Sequence, residues 1–464
     1  MLDRMLVKFR GAGTLVQTGV TTLAVVMALI GVCWAGTNNN TGFFGRQVGG
    51  VSISTDGVLN AATPKELDEY RAAIMAEAKK VPDALVKPVS MRMISLKEIE
   101  KALANTQADL AYEMPDEIRF LAGIQRIQYV FVDAENQDII LAGPGEGWKI
   151  DAKGNYVGVT TGRPVVRLDD LMVAMRTVEN ARNGGITCSI DPTAEGRQQL
   201  DAYLANQRQF TPAALDGIAK SLGKQMISVT GVPDNTRFAR TLVASDFKMK
   251  RIAMKLEESP VKGLPSFLDM VKSKGAKVDN MMPRWWLACS YEPMGKSEDG
   301  MSWELRGNGV KVMTEDEIVN KDGSVKGSGK ANPVAQQWAD LMTEKYDELC
   351  LKETAFGDLR NVMDLCVISA LITKENLLAK AGLEIPTVQG TNKGSRVKIN
   401  QNFQAAKQVD SQTSFIKRGK EYIITASGGV DINSWAIADR TEVVPELKSV
   451  REKAGARPEA ALFW

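Results

Sequence analysis

Imidazole chemistry is closed to this chain, because its 464 residues include no histidine. Ser-His and Cys-His nucleophilic pairs, zinc sites with His ligands and haem with a proximal His all need that ring. Catalysis would fall to carboxylates, Lys, Tyr, Ser or Cys. Ser-x-x-Lys, a spacing that sets a lysine base beside a serine nucleophile, occurs at Ser221/Lys224, Ser245/Lys248 and Ser259/Lys262. Neither Lys-Thr-Gly nor Ser-Asp-Asn accompanies them, so they read as background. Asp133, Glu146, Asp169, Asp170, Asp191 and Asp246 are the carboxylates for a hydrolase acting on polysaccharide or another polymer. That chemistry needs two acids about 5–10 Å apart in space, which spacing along the chain does not fix. A cap, a turn or a salt bridge accounts for each acid equally well.

Four cysteines follow residue 35: Cys188, Cys289, Cys350 and Cys366. None forms a CxxC pair, so no Cys-only metal cluster and no cofactor is expected. Cys350 and Cys366 fall on two consecutive helices, the second thiol roughly 15 Å up its helix, whereas a disulfide needs Cα atoms within about 7 Å. Cys188 with Cys289, both on apparent strands, is the expected disulfide; four buried free thiols are the plainer alternative.

The sharpest pattern follows Pro233. At about 100° per residue, Phe238, Leu242, Met249, Ile252, Ala253 and Leu256 fall on one stripe, while Arg237, Arg240, Lys248, Arg251 and Lys255 gather within an arc of about 80° on the far side. The expectation is an anion-binding face for phosphate, an anionic polymer such as a sulfated glycan, membrane head groups or an acidic protein surface. The bland reading gives those cations carboxylate partners from neighbouring elements. Trp285-Trp286 beside Arg284 suggests a carbohydrate-stacking platform, but alternation along a strand sends the two indoles to opposite faces, one of them into the core.

The elements positioning these groups alternate irregularly. Helices are predicted over 64–80, where Thr63 and Glu66 form a capping box, and over 95–107. Strands follow at 127–132 and 138–142, with Gly143 to Gly147 as a turn rather than a phosphate loop. A helix over 168–181, a strand over 186–190, two helices within 193–222 broken at Thr211-Pro212 and a strand over 224–230 lead to the basic helix. Asn332-Pro333 opens a helix that pairs with the apolar one around 362–372 as a hairpin, Tyr422 to Thr425 is the last strand, and Gly428-Gly429 turns it. The fold class is α+β, with two or three subdomains. The divisions are a leader or anchor at 1–35, a helical region at 36–115, a mixed α/β part at 116–232, the basic helix with a strand-rich segment at 233–330, and a helical hairpin with a C-terminal strand at 331–464.

Arg4, Lys8 and Arg10 precede an uncharged stretch from Gly11 to Gly45, the layout of an export signal. Cleavage after Ala35 is the preferred reading; an uncleaved anchor and a lipid-carrying Cys33 are the alternatives. The whole chain carries 58 basic and 56 acidic side chains. The leader holds Arg4, Lys8 and Arg10 against Asp3, so the remaining body is formally neutral and no nucleic-acid partner is expected.

Several blocks resemble a family of exported planctomycete proteins labelled only as a domain of unknown function. They are Phe131-Val132-Asp133 to Glu146-Gly147-Trp148, Gly162-Arg163-Pro164-Val165 to Leu168-Asp169-Asp170-Leu171, Cys188-Ser189-Ile190-Asp191-Pro192-Thr193 to Glu195-Gly196, and Gly231-Val232-Pro233 to Thr236-Arg237-Phe238-Ala239-Arg240 with Met249-Lys250-Arg251-Ile252 behind. The resemblance implies bacterial export, to the periplasm or cell envelope, and supplies no catalytic residue. Two readings stand: a non-catalytic envelope protein that binds or scaffolds, and a histidine-free hydrolase using paired carboxylates.

Overall fold

The computed structural model describes residues 47–464 apart from 109–113, 207–213, 275–282, 321–323, 394–396, 398, 400, 412, 419, 455–457 and 459–460. The leader, Ala35 and Cys33 lie outside the described residues, as does the break at Thr211-Pro212. The chain from Arg46 onward forms one compact unit. It mixes helices with two large sheets in the α+β manner expected.

The larger sheet has nine strands: β1 (Val51–Ile53), β2 (Val58–Ala61), β3 (Ile186–Pro192), β4 (Gln225–Thr230), β5 (Pro283–Ser290), β6 (Gly309–Val319), β7 (Val325–Gly327), β8 (Gln408–Val409) and β9 (Ser427–Ile432). Across the sheet they run β1-β2-β8-β4-β3-β9-β5-β6-β7. Neighbours are antiparallel except β2 with β8 and β5 with β9. Strands from every segment marked off beyond residue 35 thus enter one sheet. A second, six-stranded sheet follows the order Thr441–Val443, Met294–Lys296, Ser302–Glu304, Tyr129–Asp133, Asp138–Gly145, Val89–Ser95.

Local chemistry explains where the helices start. Thr63 and Glu66 form the reciprocal capping box, with the Thr63 N–H donating to Glu66 Oε2 at 2.7 Å and the Glu66 N–H to Thr63 Oγ1 at 3.3 Å. Thr193, after Asp191-Pro192, accepts from the Gly196 N–H at 3.0 Å, and Asn332 caps the helix α3 introduced below through the Val334 N–H at 2.9 Å.

Five helices define the interior beside the larger sheet: α1 (Leu168–Thr177), α2 (Arg237–Ala253), α3 (Pro333–Glu344), α4 (Tyr346–Lys352) and α5 (Thr354–Lys374). Thr354 through Ile372 of α5 are buried, which is why its sequence is apolar over so long a run. Among the described residues no helix is long and apolar enough to cross a membrane. The expected pairing of α3 with α5 is replaced. α3 lies against β6, and α4 makes the hairpin with α5. Trp338 of α3 faces Trp285 of β5, their rings 5.1 Å apart, which fixes α3 on the sheet.

The glycine pair behaves differently from its sequence reading. Gly428-Gly429 is not a turn but part of β9. A Cβ on Gly428, whose φ is +115°, would stand 1.8 Å from the Trp285 carbonyl oxygen, and one on Gly429 1.7 Å from that of Cys188. The two glycines let β9 slot between β3 and β5 where a side chain would not fit. The chain end also finds a place: Phe463 bridges Ile94, and the Met93 N–H donates to the Trp464 carbonyl at 3.0 Å, covering the edge of the six-stranded sheet.

Candidate binding face

The expected basic face is not a surface. α2 lies between the nine-stranded sheet and the helices α1 and α5, so all but Arg237 and Arg251 of its residues are buried, and those two are mostly covered. Arg237 pairs with Asp170 of α1 and, at 2.7 Å, with Asp358 of α5. Arg240 donates to the Gln404 carbonyl at 2.7 Å and lies over the Phe403 ring. Lys248 reaches Glu257 at 2.6 Å and Glu353 at 3.5 Å. Arg251 donates to Glu257 at 3.1 Å and to the Leu256 carbonyl at 3.0 Å. Lys255 has left the helix, which ends at Ala253; it sits at φ +56° and pairs with Asp269 at 2.7 Å. The anion-binding assignment of these five is therefore corrected. Their partners come from elements as distant in sequence as residues 170 and 358, which helical periodicity does not reveal.

The disulfide assignment is corrected too. Cys188 on β3 is level with Val430 of β9, which is level with Leu287 of β5, so Cys289 stands two strands away from Cys188. Two strand spacings of about 4.8 Å exceed the reach of a disulfide. All four cysteines after residue 35 are free thiols. Burial pushes the Cys289 thiol up to about 12 and that of Cys350 to about 11.

Asp169 adjoins Asp170, and Asp191 comes within electrostatic reach of Asp246, but each candidate carboxylate has a structural setting of its own. Burial opposes the Glu146 charge, yet hydrogen bonds from Thr161, Thr160 and Gln125 hold its carboxyl down at about 2. Asp133 accepts from the Asn136 N–H at 3.0 Å in a turn, and it lines a cavity of about 450 Å³ beside the outer face of the six-stranded sheet. Asp169 is partly exposed in the first turn of α1. Asp191 accepts from the Gly428 N–H at 3.1 Å. Asp246 accepts from Lys250 at 2.9 Å, and Lys250 also donates to the Ile190 and Gly428 carbonyls, riveting α2 to β3 and β9.

Burial lifts two of these acids well above the ordinary carboxylate range. Burial raises Asp170 to about 6 despite Arg237, and Asp358 competes for the same guanidinium. Burial works against the Arg237 charge as well, but Asp170 and Asp358 outweigh it and keep the guanidinium protonated beyond its ordinary range. Burial likewise raises Asp246 to about 6 in spite of Lys250. Their folded pKa values exceed the usual 3.8. The folded chain therefore holds extra protons between about pH 4 and 6, and this contribution to stability falls as pH rises through that window. The urea midpoint is expected to be higher at pH 5 than at pH 7. Asp170→Asn should shrink that difference, and an unchanged difference would refute the assignment.

The other side of the nine-stranded sheet is partly open along β3, β4 and β5, while Ser427 and Gly429 of β9 within it are buried. Along β3, Ile186, Cys188 and Ile190 are buried while Thr187, Ser189 and Asp191 are not. Along β4, Met226, Ser228 and Thr230 are exposed between the more covered Ile227 and Val229. β5 divides the tryptophans as alternation requires. Trp285 is fully buried against Phe267 and Trp338, and Trp286 turns outward, partly exposed, with the Arg284 guanidinium 5.2 Å from its ring centroid. Register then fixes three rows across the open face. Met313, Trp286, Gly429, Ser189 and Ser228 form the middle row. Lys311, Ala288, Asp431, Thr187 and Thr230 lie on one side of it. On the other side Glu315, Arg284 and Ser427 are level, as are Asp191 and Met226. The result is a shallow polar strip with one aromatic ring and, beside that ring, a glycine and two serines.

No curated protein and no solved structure matches the chain significantly. A family model described as a protein of unknown function (DUF1598) matches residues 188–267, which run from Cys188 on β3 through β4 and α2 to Phe267.

Proposed function

We propose that this chain is an exported, non-catalytic binding protein of the bacterial cell envelope whose working surface is the open face of the nine-stranded sheet. The export half of this reading rests on the charged, then uncharged, opening of the sequence. The binding half rests on one observation: Trp286 stands outward beside Gly429, Ser189 and Ser228, on the side of the sheet that α2 does not cover. Large aromatic side chains held half-exposed on a rigid element are the usual anchors of a recognition surface. The candidate carboxylates favour this over hydrolysis, because each already serves an internal partner, a turn or a helix terminus.

Oxidation of tryptophan by N-bromosuccinimide, mapped by peptide mass, tests the surface. Trp464, partly exposed on the other sheet, serves as the internal control. Incubation of the full chain with its own envelope fraction should protect Trp286 and leave Trp464 unchanged. Equal oxidation of Trp286 with and without the fraction would overturn the proposal.

A further inference from the structure

Resting on the binding face just proposed, we infer that its ligand is an uncharged polysaccharide chain lying flat across the strands. The middle row from Trp286 to Ser228 crosses three strand intervals, roughly 14 Å at about 4.8 Å each, and beyond Trp286 carries only Gly429, Ser189 and Ser228. A rigid ribbon can lie along it without meeting a bulky side chain. Trp286 offers an indole for the C–H face of a sugar ring, with Arg284 occupying one side of the indole and the small Ala288 two residues further on. Hydroxyls and carboxylates edge the strip: Thr187 and Thr230, joined at 2.7 Å, and Asp431 on one side, Asp191 on the other. Such groups accept and donate to sugar hydroxyls.

Charge decides among ligand classes. Asp191, Asp431, Glu315 and Glu317 stand against Arg284, Lys311 and Arg197, with Glu317 pairing Arg284 at 3.7 Å, so the strip carries both signs with a slight acidic excess. A sulfated or phosphorylated polymer would have to pass the two flanking aspartates. An acidic protein surface meets the same obstacle, and a hydrophobic partner would find only Trp286, Met313 and Met226 as anchors. A neutral chain rich in hydroxyls matches donors and acceptors of both kinds and is indifferent to the balance.

Native gel electrophoresis of the full chain through hydroxyethyl cellulose, with dextran sulfate as the anionic counterpart, tests this. Retardation by hydroxyethyl cellulose is expected to persist at 0.5 M salt, since ionic contacts are screened there. Trp286→Ala should weaken it by about tenfold, the loss of a central aromatic anchor. If the envelope fraction protects Trp286 but only dextran sulfate retards the chain, the polysaccharide assignment is overturned while the binding face stands. If the fraction does not protect Trp286, both fall together.

Discussion

Arg237→Met is expected to lower the free energy of unfolding by about 3–5 kcal/mol, the range for removing one partner from a buried ion pair. The guanidinium lies between Asp170 and Asp358, both buried, and joins α1, α2 and α5. Removing it takes away the cation that pairs both carboxylates directly, leaving only Arg167 acting on Asp170. Methionine is chosen because it keeps the unbranched apolar stem of the side chain, so the loss is chiefly electrostatic. Urea denaturation followed by far-UV circular dichroism measures the effect. The double variant Arg237→Met with Asp170→Asn should recover part of the loss, because only one buried charge then remains unpaired. A loss below about 1 kcal/mol would mean the trio is hydrated like a surface pair, which would undo the picture of α2 as an internal strut.

The second large effect separates two adjacent tryptophans. Trp285→Ala should cost about 3–5 kcal/mol, as expected for a fully buried indole, because it empties the contact among Phe267, Trp285 and Trp338. Trp286→Ala should cost no more than about 1 kcal/mol, since its ring is partly exposed, with the Arg284 guanidinium lying over it. The same denaturation experiment reads both. Equal losses would show that the outward face of β5 is covered after all.

Much of the fold was legible in the sequence, and the reasons for what was not are physical. Thr63 with Glu66, Thr193 after Asp191-Pro192, and Asn332 before Pro333 announce helix starts because a cap is a contact over three or four residues. The alternation through Trp285-Trp286 already demanded one indole in the core. Periodicity failed at α2, where a stripe of cations looks identical whether it meets water or buried carboxylates. The distinction depends on Asp170, Asp358 and Glu353, brought in by tertiary packing. Cys188 and Cys289 were misread for a related reason, as strand membership is local but strand order is not, and β9 inserts between them from more than a hundred residues downstream of Cys289. Gly428-Gly429 looked like a turn because close approach between strands and reversal of the chain ask for the same residue.

The open face had a signal that alone was too weak. Thr187, Ser189 and Asp191 alternate with Ile186, Cys188 and Ile190, and Met226, Ser228 and Thr230 alternate with Ile227 and Val229. Each pattern marks a half-covered strand. Only the register β4-β3-β9-β5 converts separate stripes into one strip ending at Trp286.

Retention on the chain's own envelope fraction, compared between Trp286→Ala and Lys255→Glu, separates the open sheet face from the basic residues as the binding site. Lys255 is the most exposed of the five cations, so its reversal probes the basic group with little cost to folding. Trp286→Ala is expected to be lost from the fraction while Lys255→Glu is retained like the parent chain. Loss of Lys255→Glu with full retention of Trp286→Ala would contradict this and return the binding site to the basic residues.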